Sequence, residues 1–158
     1  MISSTRCLDI NATPEAVWAV LGRYMNIDKF APQIASVEAL TDGPDRVGSR
    51  RRCVFQDGSS VVEEVNFWQE GRCYNVRLSD MGSMPLNEAD AQLFIEPTSD
   101  GRARVNWTVR YRVKFGPLGW LLGQTMMKMM MGKIIAGNLK GLADKVAADA
   151  GPLAARTA

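Results

Sequence analysis

The chain has 158 residues, of which 46% are hydrophobic and 23% charged, and its formal net charge at pH 7 is +2. This length and composition predict one soluble globular domain with its own core, and the small net charge gives no support to nucleic-acid binding. The absence of histidine excludes the commonest general base, the usual zinc ligand and every nucleophile pair that contains histidine.

The N-terminal part of the chain predicts one strand followed by two short helices. Residues 2–11 alternate loosely between β-branched and polar side chains, as in a strand. Thr13 fits the N-cap of a helix and Pro14 fits its first position, so a helix is predicted in NATPEAVWAVLGRY. A second short helix is predicted in NIDKFAPQI and ends before Pro32, because the residue before a proline disfavours helical backbone.

From Ile34 onward the hydrophobic pattern has a period of two residues, which predicts six further strands. The connecting sequences are short and contain the glycine, proline or Asp-Gly pair of tight turns. The last strand alternates most clearly, so one face of the sheet is predicted to meet a core and the other to meet water. The predicted strands are IASVEAL, GSRRRCVF, SSVVEEVNFW, RCYNVRLSDM, EADAQLFIE and ARVNWTVRYRVKF.

After GPLG the hydrophobic period becomes helical and stays so to about Ala148. The predicted order is therefore one strand, two short helices, six strands and one long helix. Short connections imply an antiparallel sheet, whose apolar face the long helix must cover. We expect a single domain over residues 1–150 and a frayed tail over residues 151–158.

Three segments of the chain resemble one protein family. DINATPEAVWAVLGRYMNIDKFAPQIASVEAL, VGSRRRCVFQDGSSVVEEV and NLKGLADKVA are similar to the polyketide cyclase/dehydrase and START-related lipid-binding proteins, and the resemblance covers about residues 3–148. It implies the α+β helix-grip fold known from the birch-pollen allergen. In that fold a curved seven-stranded antiparallel sheet, two short helices and a long C-terminal helix enclose an apolar cavity.

Members of this family bind hydrophobic ligands in different roles: some cyclise polyketides, some carry lipids and some sense hormones. The resemblance therefore implies binding, or transport, of a hydrophobic small molecule such as a lipid or a polyketide, without a cofactor. A cofactor-independent cyclase or dehydrase that uses a carboxylate or a tyrosine is the alternative, and the fold alone does not choose between the two.

An arginine and a glutamate are predicted to meet on the inner face of the sheet. Glu63 is the one polar residue on an otherwise apolar face of its strand, and Arg51 has the same parity as the apolar residues of the preceding strand. A three-residue turn at 57–59 places both side chains inward. A two-residue Asp-Gly turn instead pairs Arg52 with Glu63, and the sequence leaves both registers open.

Hormone-sensing plant relatives have an inward arginine and glutamate on similar strands, so the resemblance implies that Arg51 and Glu63 anchor the polar end of a ligand. A structural ion pair is the alternative, and Glu63 is the candidate catalytic residue if the protein is an enzyme. Tyr24 is expected near the cavity mouth. The other ligand-binding candidates, which alternatively only fill the core, are Phe67, Tyr74, Leu78, Trp107, Tyr111 and Met129.

The run RRR at residues 50–52 invites a nucleic-acid interpretation. Strand alternation, however, leaves only Arg50 and Arg52 on one face. Asp90 and Glu96 are predicted to share the outer face with other basic residues and to form cross-strand ion pairs there. No aromatic residues are interleaved with the basic ones, as single-strand binding requires. A solvated face is therefore the preferred interpretation, and no nucleic-acid partner is expected.

TMMKMMMGKII, which starts at Thr125, contains five of the nine methionines. Lys128 and Lys133 oppose a transmembrane span, and the lack of a nearby cysteine or histidine opposes a copper site, so no metal is expected.

This half of the helix is apolar all round. We expect Met129 to border the cavity, while outer methionines contact a membrane surface or a second subunit. The stripe predicted to face the sheet is Leu121, Thr125, Gly132, Ile135, Leu139, Leu142, Ala143 and Val146.

The cysteines and the N-terminus predict the cellular compartment. Cys7, Cys53 and Cys73 are odd in number and lack the spacing of a zinc site. MISSTRCLDI contains no apolar segment typical of a secretory signal. We therefore expect reduced thiols and a cytoplasmic protein.

Overall fold

The computed structural model describes residues 1–154. Helix α1 spans Pro14–Leu21 and is followed by a 3-10 turn over Tyr24–Lys29. The C-terminal helix consists of α2 (Gly116–Leu122), a π-helical turn (Gly123–Met127) and α3 (Lys128–Ala154). The strands β1 to β7 span Ile2–Ile10, Ile34–Ala39, Arg50–Phe55, Ser60–Gln69, Cys73–Ser79, Leu86–Pro97 and Ala103–Val113.

The strands form one antiparallel sheet in the order β1-β7-β6-β5-β4-β3-β2. Strands β2 to β7 follow one another as a meander, and β1 pairs with β7 at one edge. Because β1 and β2 lie at opposite edges, α1 and the 3-10 turn carry the chain from one edge to the other. Helix α3 packs most extensively against β1 and α1. This arrangement confirms the predicted α+β helix-grip fold.

Helix α1 starts where the sequence predicts it. The Thr13 hydroxyl accepts a hydrogen bond from the backbone N–H of Ala16 at 3.2 Å, and Pro14 occupies the first turn. The helix buries Val17, Trp18, Val20 and Leu21. It therefore contributes to the core that lies over the inner face of the sheet.

The turn between β3 and β4 settles the register that the sequence left open. The Phe55 N–H donates to the Ser59 carbonyl at 2.8 Å, so 56–58 form a three-residue loop, one residue earlier than the turn considered at 57–59. Gly58 has φ 85°, a left-handed value that favours glycine. Arg51 consequently lies directly opposite Glu63, and Arg52 opposite Val62. Of the two registers that the sequence leaves open, the structure has the one in which Arg51 faces inward with Glu63.

A bulge in β4 corrects the predicted orientation of Phe67. The register between β4 and β5 shifts between Val65 and Phe67, so one residue of β4 has no direct partner. Such an extra residue moves every following side chain to the opposite face. Phe67 is therefore 47% exposed, and Trp68 packs against the core in its place. The expected inward orientation of Phe67 was wrong.

The outer face of the sheet has the paired charges expected of a solvated surface. Arg110 donates to Asp90 at 2.7 Å, as predicted, and Arg104 donates to Asp9 at 2.6 Å. Glu96 accepts a hydrogen bond from Asn106 at 3.2 Å and so differs from the expected ion pair. Exposed pairs of this kind each contribute little to stability, because water screens both charges.

The π-helical turn changes which residues of the C-terminal helix face the sheet. Gly132, Ile135, Leu139, Leu142 and Val146 are buried as predicted, but Leu121 and Thr125 are exposed. A π turn contains one residue more than an α turn, so it rotates the preceding helix by about one position. Gly119 and Gly123 take the inward positions instead. The Thr125 hydroxyl donates to the Leu121 carbonyl at 3.1 Å and so satisfies a backbone group at the turn.

The end of the chain is described only in part. Helix α3 reaches Ala154, although Gly151 within it has the non-helical φ of 64°. Residues 155–158 of the predicted tail lie outside the described residues. No helix within residues 1–154 combines the length and apolar character that a membrane crossing requires.

Candidate ligand-binding site

Arg51 is a fully buried charged side chain on the inner face of β3, with 2% of its surface exposed. Its Nε donates to the Glu63 carboxylate at 2.8 Å. One terminal nitrogen donates to the same carboxylate, and the other donates to the backbone carbonyl of Tyr24. Each nitrogen of the guanidinium therefore has an acceptor, as the burial of a charge requires.

Tyr24 lies at the centre of this charged group and not at the expected cavity mouth. The Arg51 guanidinium carbon lies 3.9 Å from the centre of its ring, which is within cation–π distance. The Tyr24 hydroxyl donates to the Glu63 backbone carbonyl at 2.9 Å, and the Tyr24 N–H donates to Asp45 at 3.0 Å. Tyr24 thus connects the 3-10 turn to the paired strands β3 and β4.

Burial changes the protonation behaviour of the groups around Arg51. Burial raises the pKa of both the Tyr24 and Tyr74 phenols, and the charge of Arg51 offsets only part of this increase. Burial also raises the pKa of the Cys53 thiol to about 12. These three groups are therefore protonated near neutral pH, so none of them is poised to act as a general base.

Two tryptophans and a tyrosine form an aromatic cluster next to this group. The rings of Trp68 and Tyr74 are stacked at 5.4 Å between centres, and Trp18 meets Trp68 edge-on at 5.2 Å. The Glu70 carboxylate accepts one indole N–H from Trp18 at 2.8 Å and one from Trp68 at 2.9 Å. These two hydrogen bonds lower the pKa of Glu70. The carboxylate therefore fixes the relative position of α1 and the end of β4.

The other predicted site residues are divided between the core and the surface. Tyr74, Trp107 and Tyr111 are buried on the inner face, and Leu78 is half-buried against the same core. The Tyr111 hydroxyl donates to the Gly123 carbonyl at 3.0 Å, which ties β7 to the π turn. Met129, which was expected to border the cavity, is 60% exposed, so this expectation was wrong; it lies to one side of the buried stripe of α3 that contains Gly132, Ile135 and Leu139.

The two halves of the C-terminal helix pack differently on the sheet. The C-terminal half buries large side chains, including Ile135, Leu139 and Leu142. From Gly116 to Ile134 the only buried residues are Gly119, Gly123 and Gly132. Met127 and Met131 are half-buried and pack against the core. The N-terminal half thus adds no fully buried large side chain to the core, in contrast to the other half.

Ser4 is a buried polar residue beneath this glycine-rich half. A Cβ added at Gly123 would meet Ile2, and one added at Gly132 would meet Arg6. Ser4 lies between Ile2 and Arg6 on the same face of β1, so it faces the helix between Gly123 and Gly132. Its hydroxyl is buried and has no hydrogen-bond partner within residues 1–154. An unpaired buried hydroxyl costs about 1–3 kcal/mol, so a hydrogen bond to Ser4 would be favourable, as it would be at the unpaired amide oxygens of Asn75 and Asn138.

The described surface contains a polar and an apolar depression that Arg51 and Glu63 do not line. A polar one of about 300 Å³ lies at the turn between β6 and β7. An apolar one of about 400 Å³ is lined by Met126, Met127, Met129, Met130 and Lys133. Among residues 1–154, no group of three or more cysteine, aspartate or glutamate side chains is arranged to hold a metal ion.

Sequence reasoning missed Ser4, Trp68 and Glu70. The bulge that turns Trp68 inward has no clear sequence signal, because Asn66 is an ordinary residue for a bulged or a regular strand. Glu70 follows the strand as part of a turn and has no pattern that indicates two indole partners. Ser4 did have a signal, because it shares strand parity with Ile2, Leu8 and Ile10.

Comparisons with known proteins identify a family through one family model and a fold through solved structures. Residues 1–147 match the family model described as polyketide cyclase/dehydrase and lipid transport. No curated protein sequence matches the chain. Among solved structures, XoxI from Bacillus cereus is 18% identical with a TM-score of 0.77, covering 92% of this chain and 96% of its own.

Two further solved structures give the same result. A protein from Thermus thermophilus is 20% identical with a TM-score of 0.76, covering 94% of this chain and 99% of its own. Ara h 8.0201 is 18% identical with a TM-score of 0.67, covering 93% of this chain and 98% of its own. At these identities the likeness establishes the fold and leaves the ligand undefined.

Proposed function

The chain belongs to the polyketide cyclase/dehydrase and lipid transport family, and we propose that it binds a hydrophobic small molecule, such as a lipid or a polyketide, between the sheet and the N-terminal half of the C-terminal helix. The observation that carries this proposal is the packing contrast within that helix. Only glycines are buried from Gly116 to Ile134, and they contact the sheet closely, so a ligand that displaces this half of the helix removes no large side chain from the core and leaves the well-packed half in place.

Methionines provide the adjustable wall of this site. Met127 and Met131 are half-buried against the core, and their unbranched thioether side chains can adopt several shapes at low cost. We expect them to move aside when a ligand enters. Burying each methylene of the ligand contributes about 0.8 kcal/mol, so an acyl or polyketide chain supplies most of the binding free energy.

Ser4 supplies the polar contact in this proposal. Its buried hydroxyl has no partner within the described residues and can accept or donate one hydrogen bond. A net hydrogen bond is worth only about 1 kcal/mol, so Ser4 orients the ligand and the apolar contacts hold it. Arg51 and Glu63, whose charges already satisfy each other, lie on β3 and β4, away from β1 in the sheet, and do not contact the ligand in this proposal.

Cofactor-independent catalysis remains a prediction that the geometry does not favour. The pKa values of Tyr24 and Tyr74 are raised by burial, and Glu63 is held by Arg51. A proton transfer that used Glu63 would therefore have to break a buried ion pair. Binding alone needs no such step.

The test is saturable binding of the polyene fatty acid cis-parinaric acid, followed by its fluorescence, together with native mass spectrometry of protein purified without detergent. Ser4→Leu fills the space and removes the hydroxyl, so we expect at least a tenfold weaker affinity. Ser3→Leu is the matched control, because Ser3 is exposed on the opposite face of the same strand. Unchanged affinity of a folded Ser4→Leu variant, or no saturable binding by the wild type, would overturn the proposal.

A further inference from the structure

The outer side of the first half of the C-terminal helix exposes many large apolar side chains. Each is between 48% and 76% exposed, and they follow one another over about four helical turns. Soluble monomers rarely leave such a contiguous apolar area in water unless it has a binding role. We call this area the apolar helix surface; it consists of Phe115, Leu118, Trp120, Leu121, Leu122, Met126, Met129 and Met130.

Phe115 provides a second, independent observation. Its backbone is left-handed, with φ 74° and ψ 29°, and its side chain is the most exposed of the set. Glycine or asparagine adopts this backbone more readily than a bulky aromatic residue does. Neither backbone preference nor packing within the chain explains a phenylalanine at this position. A partner outside the chain would explain it.

The charged residues of the segment that forms the apolar helix surface are all basic. The sequence contains no aspartate or glutamate from Gly101 to Ala143. Lys128 and Lys133 are exposed within or beside the surface, and Lys114 precedes it. No carboxylate of residues 1–154 forms an ion pair with any of these three lysines. The surface is thus apolar with a basic border, which is complementary to anionic headgroups over acyl chains.

We propose that the apolar helix surface inserts into the interfacial layer of an anionic lipid bilayer. Leucine and methionine side chains enter the boundary of the acyl chains, and Trp120 lies at headgroup depth, where indole rings are favoured. The lysine stems reach back to the lipid phosphates. Since no helix in the described part of the chain can cross a membrane, this helix lies in the plane of the interface.

A second copy of the chain fits this surface less well. Symmetric pairing would bring Lys128 and Lys133 of one copy towards the same residues of the other, and the segment offers no carboxylate to neutralise them. A bilayer supplies both the apolar layer and the negative charge. The apolar depression formed by Met126, Met127, Met129 and Met130 has Lys133 in its lining, so it combines apolar and basic groups as a bilayer interface requires.

Vesicle flotation tests this inference without reference to any internal ligand. We expect the wild type to bind vesicles of phosphatidylcholine with about 30 mol% phosphatidylglycerol and to bind pure phosphatidylcholine weakly. Leu121→Glu should abolish binding, and Lys128→Glu should weaken it at least about fivefold on anionic vesicles. Phe115→Asn should also reduce binding without lowering the Tm, because asparagine accepts the left-handed backbone.

Matched controls separate this surface from other exposed groups. Phe67→Ser removes an exposed aromatic side chain from the sheet and should leave vesicle binding unchanged, as should Arg77→Glu on the same sheet. Trp120 emission should shift to shorter wavelength with anionic vesicles, and Trp120→Phe should remove this shift. Failure of the wild type to bind anionic vesicles, or a dimer in solution that Leu121→Glu dissociates, would overturn the inference.

The inference and the proposed function fail independently. Leu121→Glu should retain saturable binding of cis-parinaric acid, because Leu121 points away from the sheet. Ser4→Leu should retain vesicle binding, because Ser4 lies beneath the helix.

Discussion

Arg51 and Glu63 lie directly opposite each other on β3 and β4, and the guanidinium donates to the carboxylate through Nε at 2.8 Å in a largely buried position. The same guanidinium also holds the backbone carbonyl of Tyr24. One ion pair therefore joins two strands of the sheet to the 3-10 turn that crosses its open end. Its parts depend on one another, because each charge is buried only with its partner present.

Breaking this ion pair should strongly destabilise the fold. Arg51→Met leaves the Glu63 carboxylate and the Tyr24 carbonyl without their donor, and we expect the free energy of unfolding in urea to fall by about 3–5 kcal/mol. The double variant Arg51→Met/Glu63→Leu should recover most of that loss, since no uncompensated charge remains. A loss below about 1 kcal/mol for Arg51→Met would show that water or other groups already solvate the carboxylate.

The sequence predicted that an arginine and a glutamate would meet on the inner face, but it did not predict the register that decides which arginine. Strand alternation placed Glu63 and one of two arginines on the same face, while the choice between Arg51 and Arg52 depended on whether the turn at Asp57 and Gly58 contains two residues or three. Both turns accept Asp-Gly, because both have a position with positive φ. The order of strands and helices was predictable, because periods of about 2 and 3.6 residues are properties of the local sequence.

Features that insert a single residue were not predictable. The bulge in β4 reversed Phe67 and Trp68, and the π turn at Gly123–Met127 rotated Leu121 outward. Each depends on tertiary contacts, such as the hydrogen bond from Tyr111 to the Gly123 carbonyl. Hydrophobic periodicity therefore predicts the face on which a side chain lies only up to the first inserted residue. Beyond the insertion, the side chains lie on a different face from the one predicted.

Two glycines of α3 should respond oppositely to alanine. A Cβ at Gly137 would meet only the Pro32 side chain, at an ordinary 3.7 Å, whereas a Cβ at Gly141 would overlap the Phe30 backbone carbonyl. Gly137→Ala should therefore stabilise the protein by up to about 1 kcal/mol through helix propensity. Gly141→Ala should destabilise it by about 1–3 kcal/mol through overpacking. Thermal unfolding of both variants measures this difference, and equal shifts in Tm would contradict the close approach of α3 to Phe30.

The contribution of Glu70 to the free energy of unfolding should depend on pH in the acid range. Its pKa is lowered in the folded state by the indole donors of Trp18 and Trp68, so its contribution is complete above its unfolded pKa of about 4.3. That contribution is lost as the pH falls through the lower, folded value. Glu70→Gln, which keeps only one acceptor oxygen, should be less stable than the wild type at about pH 6.

This difference in stability should narrow as the pH falls from about 5 towards 3, and denaturant titrations followed by tryptophan fluorescence at each pH measure it. Glu38→Gln is the control, because the exposed Glu38 carboxylate lies near Arg52 and accepts no indole hydrogen bond. A difference between Glu70→Gln and wild type that stays constant down to about pH 3 would mean that the two indoles do not depend on the charge of Glu70.

The rate at which Cys53 is alkylated should measure how often the sheet opens near Arg51. Cys7 is exposed, whereas Cys53 and Cys73 are buried, and burial raises the pKa of Cys53 to about 12. Iodoacetamide reacts with the thiolate, so at about pH 8 the folded protein should be labelled much more slowly at Cys53, which is buried and protonated, than at the exposed Cys7. Arg51→Met should accelerate labelling of Cys53, because it increases the population of opened molecules, and should leave the rate at Cys7 unchanged.

Peptide mass spectrometry of timed reactions measures each site. Rapid labelling of Cys53 in the wild type would contradict the burial of β3 beneath the Tyr24 turn, and an unchanged rate in Arg51→Met would separate the stability of that turn from the ion pair.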